Sequence, residues 1–550
     1  MAVSRRGGNR RLANVKTRTE TGFEYCLGKL EIQTGFGKKA QKEARPFYPG
    51  EEAELIRELD LVEAMTCFVR EHARALQRLD EEVFMCMKDI SGTLERSRQN
   101  TLTEVEIFEV KSLLLNFLDT RNILAAAPEV PQEFIPEAQD ELLDRLDPRG
   151  DRTNTFYLYD EFSERLKELR RAKRQLETDL RRSMKARRDL VLKQYGIALT
   201  PKFDIVIPRS SDDLAKAKAV PELEQVAEDY MAVTFALTRS EEQHALARQA
   251  EELETEIEEE ETRVREMLSR EIAGQADATL ANCVRIGRLE YVLAKARFAV
   301  ARNCTRPEIT EEHVVEIEEG RQLQAEDMLR TRGKEYCPIS ISLRDGVTCI
   351  TGANMGGKTV SLKLSGLVPM LAQYGFFVPC KRARVGLSNF CQILIGDSQS
   401  LERGLSSFGS EMEELKEILD NADDRSLILI DEIASGTNPV EGLALTKSLV
   451  DYFLQKPYIT LITTHFETVT EEEGVRNMQV RGLAGADFRK LNSELHYANR
   501  RERINVIAKY MDYRLELVSG DREVPKDALN IAHMLGISDE IIEGAKRYLK

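Results

Sequence analysis

The chain has 550 residues, enough for three or four domain-sized units at about 150 residues each. Its 79 Lys and Arg stand against 94 Asp and Glu, a formal charge of −15. That excludes a surface given over wholly to nucleic acid but leaves room for a local basic stripe. Hydrophobic content of 42% with 31% charge belongs to a chain that buries cores, not to a disordered one. No run of about 18 apolar residues occurs, so no membrane span is predicted. The basic start MAVSRRGGNRRLANVK has no apolar stretch behind it and does not read as a secretory signal. The nine cysteines are scattered without a Cys-x-x-Cys pair, as in a cytoplasmic protein with reduced thiols.

In chain order, residues 1–45 read as a basic tail and lead-in, mobile at the very start. From residue 46 to about residue 330 the pattern is helical. Ala, Leu, Glu, Arg and Lys dominate, and apolar residues recur every three or four positions, as in LIRELDLVEAM and IFEVKSLLLNFL. Within this region residues 162–196 are strongly basic and residues 239–272 strongly acidic. Each stretch could form about 45 Å of helix at 1.5 Å per residue. Between them, KFDIVIPRSSDD holds a strand-like piece and a turn cluster. Two long helices of opposite charge around a short non-helical tip predict an antiparallel coiled-coil arm over about residues 160–272. Two readings of its charge stay open: the basic helix grips DNA, or its cations are mostly neutralised by the acidic helix. After Gly333 the runs PISISL, GVTCITG, SLILIDE and YITLITTH alternate with helical segments. This alternation predicts an α/β domain with a mainly parallel sheet over residues 331–550.

The strongest local signal is Gly352-Ala353-Asn354-Met355-Gly356-Gly357-Lys358-Thr359, which fits G-x-x-x-x-G-K-[ST]. It follows an apolar run and precedes the helical pattern TVSLKLSGLVPMLAQYG, the strand–loop–helix setting of a P-loop nucleotide site. Glycines let backbone N–H groups turn toward phosphate oxygens, and the following helix adds its positive end. Lys358 can bridge the β- and γ-phosphates of ATP, and Thr359 can place its hydroxyl on Mg²⁺. The buried-strand pattern LILIDE ends in Asp431 and Glu432. Asp431 is expected in the Mg²⁺ shell and Glu432 as the acceptor of a proton from the attacking water. His465, closing YITLITTH, is expected to sense the γ-phosphate. His72, His244, His313, His496 and His533 show no ligand spacing, and no zinc site is predicted.

TGANMGGKT, LSSFGSEMEE, LILIDEIASGTNPVEGLAL and TTHFE, in that order, resemble the ATPase domain of the MutS family, a likeness running from about Tyr336 to the end. The helical region before it is similar in layout to the family's core, levers and clamp. The resemblance implies an ABC-like ATPase in which two subunits sandwich two nucleotides, as a homodimer through the ATPase domain or a heterodimer with a related subunit. By the same resemblance Ser406 matches the serine that reaches the γ-phosphate held by the other subunit, and Asn354 matches the loop asparagine near the nucleotide. Ser435-Gly436-Thr437 matches a stretch that faces the opposite subunit. The tail DALNIAHMLGISDEIIEGAKRYL, within about 521–550, resembles the family's dimerisation helices and reads as helix, Gly stop and a second capped helix.

There are departures. The N-terminal mismatch-reading domain is not expected here, and Phe162-Ser163-Glu164 has the spelling of its Phe-x-Glu wedge but lies in a helical run. GKTVSLK, ADDRSLILIDE and GTNPVEG look closer to the branch associated with suppressing recombination, and that branch's nuclease-like C-terminal domain is not expected before Lys550. The reading is therefore a dimeric ATPase that couples ATP binding and hydrolysis to lever and clamp movement on DNA, in mismatch repair or recombination. The alternative is a protein client: the chain also resembles the ATPase component of reactivating factors for cobalamin-dependent lysine 5,6-aminomutase.

Overall fold

The structure, a computed structural model, describes residues 11–352, 357–396, 407–434, 436–483, 485–497, 502–518 and 527–548. The chain forms two compact units. One comprises residues 85–122 and 136–284; the other comprises residues 1–84, 123–135 and 285–550. Among the described residues no helix is long and apolar enough to cross a membrane.

The first unit contains the basic helix Glu164–Tyr195 and the start of the long helix Glu241–Ala301. Ser163 sits just before the basic helix and accepts the Leu166 N–H, so the Phe162-Ser163-Glu164 spelling marks a helix cap. Ser163 also donates to Glu260, Lys173 pairs with Glu254, and Gln243 donates to Ser183. These partners advance along one helix as they retreat along the other, so the two run antiparallel. Leu166 and Leu169 pack on Leu253 and Ile257 along the seam. Arg165 pairs with Glu256 at 2.7 Å and Arg170 with Glu261 at 2.7 Å across it.

Beyond Gly196, which closes the basic helix at φ 73°, lies more structure than the sequence suggested. Strands β1 (Asp204–Pro208), β2 (Leu223–Glu228) and β3 (Ala232–Leu237) form an antiparallel sheet in the order β1-β3-β2, with the helix Asp213–Ala219 between β1 and β2. Val233, Phe235 and Leu237 turn one face inward onto Met184, Val191 and Ile207. Of these strands the sequence reading singled out only β1, although β3, AVTFAL, alternates with Val233, Phe235 and Leu237 buried. β2, LEQVAE, is exposed almost throughout and has no apolar alternation to announce it.

The second unit holds two sheets. β4 (Glu308–Thr310), β5 (Val314–Gly320), β6 (Ile339–Arg344) and β8 (Arg382–Gly386) form one, in the order β4-β8-β5-β6. β4 and β5 fall in the stretch expected to be helical up to residue 330. The chain has already turned to sheet by Glu308 because these short segments pair with strands far ahead of them. The larger sheet has the order β13-β12-β7-β11-β10-β9, from β7 (Gly346–Thr351), β9 (Phe390–Ile395), β10 (Ser426–Asp431), β11 (Tyr458–Thr463), β12 (Arg476–Gly482) and β13 (Asp512–Leu517). Its strands are parallel except β13. Every residue of β10 and β11 is buried, as in a central parallel strand covered on both faces.

The lead-in is part of this unit. Leu12 O accepts the Cys391 N–H of edge strand β9 at 2.7 Å, and Thr17 donates to Gln392 and accepts from Ile393 N. The N-terminal segment therefore covers a sheet edge that would otherwise expose unpaired backbone. At the other end, helices Asp527–Met534 and Asp539–Tyr548 flank Gly536.

Candidate functional site

Parallel pairing brings three strand ends to one edge of the larger sheet. Asp431 of β10 lies opposite Thr463 of β11, and Thr463 lies opposite Ile350 of β7. This is the carboxyl edge, where open parallel sheets place ligands. β7 passes into Gly352, whose φ of +122° is accessible to glycine but not to residues bearing a side chain. The helix Gly357–Gln373 then starts at the same edge, with Lys358 and Thr359 in its first turn.

These elements bring five of the expected residues together. Thr359 donates its hydroxyl to Asp431 Oδ2 at 2.9 Å. Lys358 Nζ lies 3.2 Å from Glu432 Oε1 and 3.3 Å from His465 Nδ1, and His465 Nε2 is 2.7 Å from the same Glu432 oxygen. Lys358 is only 3% exposed. Burial pushes its ammonium pKa down, against the pull of the Glu432 and Asp431 carboxylates. Gly352 and Gly357 flank this cluster in the chain. Ala353, Asn354, Met355, Gly356, Ser406 and Ser435 lie outside the described residues.

Two further residues hold the strand ends and the loop beside the cluster, and sequence reasoning gave them no role. Thr463 is fully buried, donates to Asp431 Oδ1 at 2.5 Å and accepts the Glu432 N–H at 3.1 Å, so one hydroxyl orients both acidic residues. Its signal was present in the strand end TTH, but it was overshadowed by the histidine. Glu411, on the helix Ser407–Asn421, accepts the Ala434 N–H at 3.0 Å. Nothing in the run EMEE separates it from Glu413 and Glu414; only the fold turns it inward.

Chemically, the edge offers a buried ammonium, a hydroxyl and a carboxylate that together suit a polyphosphate with a hard divalent cation, plus a second carboxylate beside a histidine. Residues 348–550 match the family model for MutS domain V. The family likeness thus rests on this domain. The chain is 37% identical over 226 residues to Endonuclease MutS2 of Clostridium botulinum, a match covering 40% of this chain and 28% of that one. It is 33% identical over 287 residues to Endonuclease MutS2 of Acetivibrio thermocellus, covering 51% and 32%. It is 31% identical over 297 residues to the Symbiobacterium thermophilum protein of that name, covering 53% and 34%. The chain thus spans about a third of the length of these curated relatives.

Proposed function

We propose that this chain is a MutS-type ATPase of ABC-like design that binds ATP with Mg²⁺ at the carboxyl edge of β7, β10 and β11 and acts on DNA as a dimer. The observation that carries the reading is a buried lysine at the head of a P-loop helix, set against Glu432 and His465, with Thr359 on Asp431 beside it. When bound, Mg²⁺ neutralises part of the triphosphate charge and orients it. Thr359 and Asp431 would hold that ion, and Gly352 to Gly357 would present backbone N–H groups to the phosphates. Lys358 would exchange its carboxylate neighbour for phosphate oxygens. Glu432 would take the proton of the attacking water as its oxygen bonds to the γ-phosphorus and the bond from that phosphorus to the β–γ bridging oxygen breaks, releasing ADP and phosphate, with His465 steadying the carboxylate.

In the same proposal, Ser406 reaches the triphosphate of the other subunit, and the terminal helices, with exposed Ile541 and Tyr548 on the second and exposed Ile537 in the connection between them, join the two subunits. Closure would then move a coiled-coil arm over about residues 160–272. Support for DNA comes from the relatives' name and from the basic helix. Several of its cations pair with acids, but Arg171, Arg181 and Lys185 make no ion pair among the described residues and are exposed. They fall within an arc of about 80° over about 21 Å of helix, a stripe that can follow phosphates.

Glu432→Gln tests hydrolysis. It should still bind ATP while turnover falls by about 10²–10⁴-fold, the usual worth of a general base; unchanged turnover would remove Glu432 from that role. DNA is tested by measuring ATPase rate with duplex DNA at two salt concentrations. Stimulation should fade steeply as salt rises and weaken in Arg171→Ala/Arg181→Ala, and a salt-independent response would argue against phosphate contacts.

A further inference from the structure

The loop that follows β10 is held in a conformation its residues do not favour. Glu432 and Ala434 adopt φ of +51° and +59°, the left-handed region that side-chain-bearing residues avoid. Such a backbone persists only where its surroundings fix it. On one side it is fixed by β11, where Glu432 N–H donates to both the carbonyl and the hydroxyl of Thr463 at 3.1 Å. On the other side Ala434 N–H donates to Glu411 Oε1. Glu411 is 8% exposed, and Ala434 is packed in the core with Ile433. Water is therefore kept from replacing a lost acceptor. The neighbouring Glu414 is engaged elsewhere, on Lys16 at 2.7 Å.

We propose that Glu411 is a positioning residue for hydrolysis: by accepting the Ala434 N–H it holds the left-handed loop, and so keeps the Glu432 carboxylate on Lys358 and His465. The role rests on the hydrolytic reading of Glu432 and extends it to a helix that contributes no side chain to the Lys358–Glu432–His465 cluster. What the loop needs is a buried oxygen acceptor at this reach, not a charge. Burial raises the Glu411 carboxyl pKa, and either protonation state leaves an oxygen free to accept.

The test is steady-state ATP turnover and nucleotide affinity of the full chain in four variants. Glu411→Ala and the shorter Glu411→Asp should lose turnover by about tenfold or more while binding ATP within about threefold of the parent, because a small displacement of the base costs rate before affinity. Glu411→Gln, which keeps the acceptor oxygen, should restore most of the rate. In a Glu432→Gln background Glu411→Ala should add no further loss, since it acts through that residue. Should Glu411→Ala fail to fold by circular dichroism, Glu411→Gln and Glu411→Asp carry the comparison. Parental turnover in Glu411→Ala and Glu411→Asp, an equally impaired Glu411→Gln, or a multiplied loss in the double variant would overturn the role. These failures are distinct from failure of the ATPase reading, which would appear as unimpaired nucleotide binding in Lys358→Ala.

Discussion

Lysine meets glutamate at nearly the same distance in two parts of the molecule, with opposite physical meaning. Lys358 lies 3.2 Å from Glu432 at the sheet edge, and Lys173 lies 3.0 Å from Glu254 between the antiparallel helices. The first ammonium is almost fully buried; in the second pair the glutamate is 57% exposed. Water screens the helix pair, so it can set register but contributes about 0–1 kcal/mol at most. The buried ammonium has lost its hydration, and one carboxylate at hydrogen-bond range with a histidine beside it repays that only in part. Burial, not distance, therefore sets the energetic difference between the two pairs, and in the proposed function it leaves Lys358 ready for an anionic ligand.

That contrast can be broken by a deeply buried pair in the unit that holds the antiparallel helices. Lys111 and Asp147 are 0% and 1% exposed and 3.0 Å apart, and Lys111 also donates to the Thr155 carbonyl. Lys111→Met should cost about 3–5 kcal/mol in denaturant unfolding, because it strands a buried carboxylate; a loss under about 1 kcal/mol would show that burial does not set the scale. The pH dependence has a fixed sign. Burial alone would raise the Asp147 pKa, but the Arg152 N–H and the Lys111 ammonium outweigh it and hold the pKa below the usual carboxylate range. Its contribution is then complete at neutral pH and lost as pH falls through that depressed value, a loss that Asp147→Asn should abolish.

Next in size is Thr463→Val, which keeps the shape but leaves an Asp431 oxygen without its donor. It should cost about 1–3 kcal/mol, read from the same unfolding curves. Smallest is Lys173→Ala, expected to change stability by no more than about 0.5 kcal/mol and to lose even that at high salt. A larger or salt-insensitive effect would mean that the helix pair is more than a screened contact.

Legibility in the sequence followed the range of the interactions. The clustering of Lys358 and Thr359 with the acidic strand end Asp431-Glu432 and His465 was readable because each lies in a short run with its own local pattern, and β7, β10 and β11 because central strands are continuous apolar runs. The covering of β9 by Leu12 and Thr17 was not readable. Its partners are about 375 positions apart, and no local pattern records a pairing at that separation. β4 and β5 escaped for the same reason, and the tip strand β2 because it is too exposed to alternate. Glu411 was visible as a helix residue, but its partner is a single backbone N–H that any residue except proline could offer.

The most direct test of the whole account is ATP binding to the full chain in Mg²⁺ by calorimetry, with Lys358→Ala beside the parent. The parent should bind, and the variant should lose affinity by about 100-fold or more, because the buried ammonium is the charge placed to meet the phosphates. Equal affinities in the two proteins would contradict it.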